Sequence, residues 1–270
     1  MNSEEPVAER TLAVVSLNTA RETNPDRMVS ALDRSPRLRQ ADLFLLQEVA
    51  DIDGEANAAG ELARRLGYFT AFAAAGSRVH DQGLALISRY PIEDVQIIRL
   101  KRCDLGSRTR SRFALAGTVR GPGADIRIWN VHLDTRINAA ERLQQLQPVI
   151  EEAARYTGPR LIGGDFNTND VYWLRNQLPL PGGPMHSALI RHAMEQQGFV
   201  TPLPNTLNTY PRLRRHLDWI FIRDLRPLAA SVEPAAFSDH NAIWMRLGLE
   251  QSTDRILHRP APDPIRKHPA

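Results

Sequence analysis

The chain has 270 residues, of which 42% are hydrophobic and 24% charged, and its formal net charge is +3; these are the proportions of an ordinary folded globule, with too little positive charge to announce a nucleic-acid partner. A single cysteine, Cys103, excludes an internal disulfide framework and a multi-cysteine zinc site. No apolar run approaches the roughly 18 residues of a membrane-spanning helix, and the opening MNSEEPVAER, with three glutamates, does not read as a signal peptide, so a reduced, cytoplasmic setting is the expectation.

Residues 1–10 read as a flexible N-terminus. Leu12 to Leu17 is a compact β-type run ending on Asn18. Asn24-Pro25-Asp26 has the chemistry of a helix start: a capping asparagine, proline at the first position and an acid in the first turn. That helix would bury Met28, Val29 and Leu32 and end near Pro36. Ala41 to Leu46 is apolar enough for a central strand covered on both faces, and it finishes on Gln47-Glu48. Ala59, Leu62, Ala63 and Leu66 recur at helical spacing, with Gly67 as the stop.

From Tyr68 the texture becomes strand after strand: Tyr68 to Phe72, Leu84 to Ile87, Ile92 to Ile98, Phe113 to Val119 and Ile126 to Val131. Arg120-Gly121-Pro122-Gly123 is a hairpin-type link, and the last of these strands runs out through His132-Leu133-Asp134. Asn138 would cap a helix with Glu141 placed for a capping box, and Pro148 is expected to kink or interrupt it. Arg160 to Thr168 reads as a short buried strand that stops at Gly163-Gly164 and presents Asp165 and Asn167. The glycines permit close approach of another backbone or a ligand. The two polar residues would point the same way on an extended chain, or else form an Asx-type turn with their own backbone.

Tyr172 to Pro184 is expected as a long loop carrying Trp173, and Ser187 to Gln197 as a helix closed by Gly198. Leu217 to Ile222, with Asp218 near its start, and Ala242 to Leu247, preceded by Ser238-Asp239-His240, complete the strands. The proline-rich tail 251–270 reads as disordered, leaving 11–250 as the folded unit. There is no internal sequence repeat, but Asn18, Glu48, His132, Asp165 with Asn167, and Asp239 with His240 all stand at predicted strand ends. Side by side, such strands would bring their polar ends to one rim, where α/β sheets place their sites.

Leu17-Asn18, Gln47-Glu48, Asn130-Val131-His132, Gly164-Asp165-Phe166-Asn167, Leu217-Asp218 and Ser238-Asp239-His240, in that order, resemble the endonuclease/exonuclease/phosphatase superfamily of magnesium-dependent phosphoester hydrolases. The resemblance implies a four-layer α/β sandwich: two mixed β-sheets face to face with helices on the outer faces. It implies Glu48 as the principal Mg2+ ligand (Mn2+ as a possible substitute), with Asn18 and Asp239 beside it, which suits a hard cation that prefers oxygen ligands. It also implies an Asp218–His240 carboxylate–imidazole pair, Asp165 as a competing general base, and His132, Asn167 and Asn18 as hydrogen-bond donors to the phosphoryl group. Arg89 and Arg112 match positions where the family has basic residues near the site. The remaining histidines, His80, His186, His192, His216, His258 and His268, read as surface residues.

Two arginine-rich loops, Arg99 to Arg112 and Arg212 to Arg215, could steer DNA or RNA toward the rim or serve only solubility. A phosphodiesterase or nuclease is the leading expectation. A phosphomonoesterase on a sugar or inositol phosphate, a lipid phosphodiesterase, and a binding protein on a retired hydrolase fold are the alternatives. No G-x-S-x-G elbow and no H-E-x-x-H motif occurs, which argues against a serine hydrolase and a zinc protease.

Overall fold

The computed structural model describes residues 10–50, 57–74, 82–106, 109, 111–181 and 185–249. Residues 1–9 of the expected flexible N-terminus and the whole tail 251–270, Arg108 and Arg110 of the first arginine loop, and His80, His258 and His268 lie outside the described residues; Arg10 is described and its carbonyl accepts from Leu249 N–H.

Two mixed sheets carry the architecture. The first has six strands, in the order β12 (Arg226–Glu233), β13 (Ala242–Gly248), β1 (Thr11–Asn18), β2 (Leu43–Ala50), β4 (Gln82–Ser88) and β3 (Phe69–Ala74). The second has five: β11 (Asp218–Arg223), β8 (Arg160–Asp165), β7 (Asp125–His132), β6 (Phe113–Arg120) and β5 (Ile92–Arg99). Each contains one parallel pair, β1 with β2 and β7 with β8, among antiparallel neighbours. The sheets pack face to face through Leu12, Val14, Leu43, Leu45, Leu86, Leu115, Ile128, Leu161 and Ile220, while Trp129, Val131 and Ile162 point to the helix-covered outer face of the second sheet. On the outside of the first sheet, α1 (Pro25–Arg34), α2 (Pro36–Arg39) and α3 (Ala58–Leu66) bury Met28, Leu32, Leu38 and Leu62 against Val15, Phe44 and Leu46. Covering the second sheet, α4 (Ala139–Arg155) and α5 (His186–Gln196) contribute Leu146, Val149, Ile190 and Met194. Alternate side chains of the central strands therefore serve two different cores, which is why these strands read as unbroken apolar runs.

Local chemistry explains most element ends. Asn24 accepts from the backbone N–H groups of Asp26 and Arg27, with Pro25 in the first turn. Gly67 closes α3 in the left-handed region, φ 70°. Four expectations change. Of the kink or interruption expected at Pro148, the interruption does not occur: α4 runs through it, an otherwise buried apolar face outweighing one missing backbone donor. The expected loop after Asp170 contains a hairpin, β9 (Val171–Leu174) with β10 (Leu178–Pro181), whose strands are too short and proline-broken to show a pattern. Strand β12 also escaped the sequence reading, because Arg226-Pro227-Leu228-Ala229 lacks both alternation and β-branched residues. Finally, His186 and His216 are buried rather than on the surface, while His192 is exposed.

Gly164 shows what its position requires. Its φ is 144°, and a Cβ there would collide with the Val131 carbonyl of the parallel strand β7. Of the two readings of the glycine pair, close backbone approach is the observed one.

Candidate active site

The two parallel pairs share a direction, so their C-terminal ends meet on one rim. Register places Asn18 beside Gln47 and His132 beside Asp165. The antiparallel β11 starts at Asp218, directly opposite Asp165, and β13 starts just after His240. Six segments thus converge by strand order alone.

A buried amide network joins the two sheets beneath the rim. Gln47 Nε2 donates to Asn130 Oδ1 at 2.8 Å, and Asn130 Nδ2 donates to the carbonyls of Leu46 and Ala85 at 2.8 and 2.9 Å. Thr19 Oγ1 lies 3.0 Å from the carbonyls of both Gln47 and Glu48 and ties the β1 exit to β2. Ser238 Oγ donates to Asn18 O at 2.6 Å and accepts from His240 N–H at 3.0 Å, so the segment before β13 is pinned to the same corner.

Glu48 leaves β2 through a bulge between Leu46 and Val49 and takes φ 50°, an uncommon conformation for a side chain of its size. The bulge turns its half-buried carboxylate into the cleft, 3.5 Å from Arg21 Nε and 3.9 Å from His132 Nε2. Asp165 is buried. Its Oδ1 accepts from the Asn167 N–H at 2.8 Å and its Oδ2 from Asn18 Nδ2 at 3.1 Å, with His132 Nε2 at 3.6 Å. The Asx turn and the site-facing carboxylate therefore coexist, one oxygen for each. Asn167 itself sits at φ 52° and donates its amide to Leu133 O at 2.9 Å, so the extended continuation does not occur.

His240 Nδ1 is 2.9 Å from Asp218 Oδ2, and its Nε2 is 4.0 Å from Asp165 Oδ2. Burial works to lower the His240 pKa, but the Asp218 charge and hydrogen bond overcome it and raise the imidazole to about 10. Burial, together with the neighbouring Asp218, pushes Asp165 up to about 7. Burial holds His132 neutral, well below its usual range, with Arg112 and His240 adding to the effect. One acidic and two imidazole groups in a single corner are thus driven to different protonation states.

Around these groups lies a cleft of ≈ 390 Å³, lined by Arg21, Glu48, His132, Asp165, Asn167, Asp239 and His240, with Trp173, Tyr210 and Leu213 on its apolar side. Tyr210 packs on His240, ring centroids 4.9 Å apart. Asn138 holds Trp173 at the cleft by bonding its backbone N–H and carbonyl at 2.8 and 3.0 Å. Asp239 faces Arg212 at 3.7 Å. Arg112 pairs with Asp134 at 2.8 Å, just past His132. Arg89 does not reach the rim: Ser88 pairs with Leu43 at the opposite end of β2, where Arg89 meets Asp42 and Tyr68.

Two buried residues that the sequence reading passed over support this corner. Arg142 of α4 donates to the carbonyls of Asp134, Phe166 and Ile137 at 2.6, 2.8 and 2.8 Å, clamping the loops after β7 and β8. Burial lowers its pKa to about 10. Gln145, one turn on, accepts from Asp134 N–H and donates to its carboxylate, both at 2.8 Å. A polar pair on the buried stripe of an amphipathic helix was the available signal.

The donor set suits a metal ion. Asp165, Asp218 and His240 bring candidate ligand atoms within 4.8 Å of one another, with His240 Nδ1 and Asp218 Oδ2 already hydrogen-bonded to each other. Glu48 and Asp239 line the same cleft and add carboxylate oxygens of the kind a hard divalent cation prefers.

A family model described as the endonuclease/exonuclease/phosphatase family matches residues 15–240. The chain belongs to that family. Its members include metal-dependent phosphoester hydrolases, and the two face-to-face mixed sheets are their α/β sandwich. No curated protein matches the sequence. Among solved structures, an endonuclease/exonuclease/phosphatase from Beutenbergia cavernae is 18% identical, with a TM-score of 0.65 over 89% of this chain and 72% of that one. The human Nocturnin catalytic domain with bound sulfate is 17% identical, TM-score 0.63, over 88% and 94%. D. rerio TDP2 in complex with a single-strand DNA product is 16% identical, TM-score 0.62, over 88% and 99%. No helix among the described residues is long and apolar enough to cross a membrane.

Proposed function

We propose that this chain is a divalent-metal-dependent phosphodiesterase that hydrolyses DNA or RNA. The observation that carries the reading is the corner where Asp218–His240, Asp165 and His132 meet the oxygen donors Glu48 and Asp239. The single-strand DNA product bound by the similarly folded TDP2 supports the substrate class.

In this reading Glu48, Asn18 and Asp239 would hold Mg2+, or Mn2+ in its place, and the bound ion would supply positive charge to a phosphoryl oxygen. His240, kept protonated by Asp218, donates from Nε2 to a phosphoryl oxygen. Neutral His132 and the free side of Asn167 add donors as negative charge develops. Asp165, raised to about 7, takes the proton of the attacking water. The raised imidazole is a poor base at neutral pH, which favours Asp165 over His240 for that task. The test is Mg2+-dependent hydrolysis of bis-p-nitrophenyl phosphate and of DNA, with a chelator control. Glu48→Gln and His240→Ala should each abolish measurable turnover; activity surviving both changes rejects the site as drawn.

A lipid phosphodiester is the second reading, favoured by one observation. The β9–β10 hairpin beside Trp173 exposes Leu174, Leu178 and Leu180, with Met185 following. Turnover of a phospholipid in vesicles, with none of DNA or RNA, would select it.

A further inference from the structure

A second cavity, ≈ 110 Å³, opens beside the main cleft and is lined by Thr168, Asn169, Thr206, Arg214, Arg215 and His216. Asn169 and Arg215 also line the main cleft, so the two spaces share a wall. We propose that this cavity is a subsite for a second phosphate of the substrate, adjacent to the phosphate cleaved in the main cleft. The proposal rests on the phosphoesterase reading above and names a feature of the substrate that reading leaves open.

Charge is the first argument. Among the described residues no carboxylate lies within ion-pairing distance of Arg214 or Arg215, whereas Arg212 of the same turn faces Asp239. The exposed Asp170 is the cavity's one acid, against two arginines. Uncompensated guanidinium groups beside a concave surface suit an anion whose oxygens they can bond in pairs.

Rigidity is the second argument. The turn that carries the arginines is closed by Tyr210 N–H to Arg215 O at 2.9 Å and Arg215 N–H to Tyr210 O at 3.2 Å. Pro211–Leu213 forms one turn of 3-10 helix and Arg214 ends it at φ 51°. His216, next in the chain, stacks on Trp219 at 3.9 Å. Arg212 is thereby directed to the metal-side acid, Arg215 to the shared wall and Arg214 to the second cavity. Holding the groups in place before the ligand arrives reduces the ordering cost of binding.

The test is titration calorimetry of the full chain in EDTA, so that binding is read without turnover. The ligands are thymidylyl-thymidine, with one phosphate, and its 5′- and 3′-phosphorylated forms, with two; inositol monophosphate and bisphosphate form a parallel pair. The two-phosphate member should bind about tenfold tighter, the scale of one charge-assisted hydrogen bond. Arg214→Gln should erase that advantage while changing one-phosphate binding less than twofold, and Arg214→Lys should restore part of it. An advantage confined to the nucleotide pair assigns the subsite to a polynucleotide, and one confined to the inositol pair assigns it to a compact polyphosphate. Equal affinity within both pairs, or an advantage that survives Arg214→Gln, overturns the proposal. Hydrolysis of bis-p-nitrophenyl phosphate by the same preparation tests the underlying phosphoesterase reading separately.

Discussion

The two parallel strand pairs deliver polar residues to the same rim in opposite styles. The β1–β2 pair ends in a half-buried glutamate, turned outward by a bulge and met by an exposed arginine at 3.5 Å. Opposite it, β7–β8 ends in His132 and Asp165, both buried; Asp165 accepts two hydrogen bonds, from Asn167 N–H at 2.8 Å and Asn18 Nδ2 at 3.1 Å, and His132 Nε2 lies 3.6 Å from it. A half-exposed carboxylate can accept a cation, and burial shifts proton affinities. Under the proposed function, one half of the cleft would hold charge and the other would move protons. The amide bridge from Gln47 to Asn130 keeps these halves in register.

This contrast can be broken most severely at its two centres. Glu48→Gln should cost about 10³-fold or more in Mg2+-dependent turnover and weaken Mg2+ binding in calorimetry, whereas Asp165→Asn should lower kcat while leaving metal affinity within a few-fold. If both substitutions weaken the metal equally, the division of labour is wrong. Next in size is Gly164→Ala. The Val131 carbonyl occupies the space a methyl group needs, so a loss of about 4 kcal/mol, or failure to fold, is expected in urea denaturation. Gln47→Leu should then cost about 1–3 kcal/mol by leaving Asn130 Oδ1 unbonded, with a larger fall in kcat than in affinity as the halves lose register.

The mildest effect is on pH dependence. Burial lowers His186 to about 4, and among the described residues no hydrogen-bond partner compensates either nitrogen. A histidine whose folded pKa lies below its unfolded value of 6.5 binds fewer protons when folded. The stability from keeping it neutral is full above that value and is lost as pH falls from about 6.5 toward 4. Melting temperature followed over that window should drop less steeply in His186→Phe than in the wild type; identical slopes would show that His186 is not a source of acid sensitivity.

The sequence by itself determined which residues could do the chemistry and that strands deliver them. Asn18, Glu48, His132, Asp165, Asp218 and Asp239-His240 stand at strand ends in the chain, and periodicity and polar punctuation are local signals that survive without a fold. Their convergence, by contrast, required the sheet order, in which β8 lies between β7 and β11, and β1 between β2 and β13. Tertiary structure also decided what no local pattern carries. It removed Arg89 from the site through antiparallel pairing, placed Arg142 under the loops as a buried clamp, and sent three arginines of one short turn to three different places. The physical reason is common to all of these. A side chain's type is written in its own residue, but its burial, its partners and its proton affinity belong to whatever the rest of the chain packs against it.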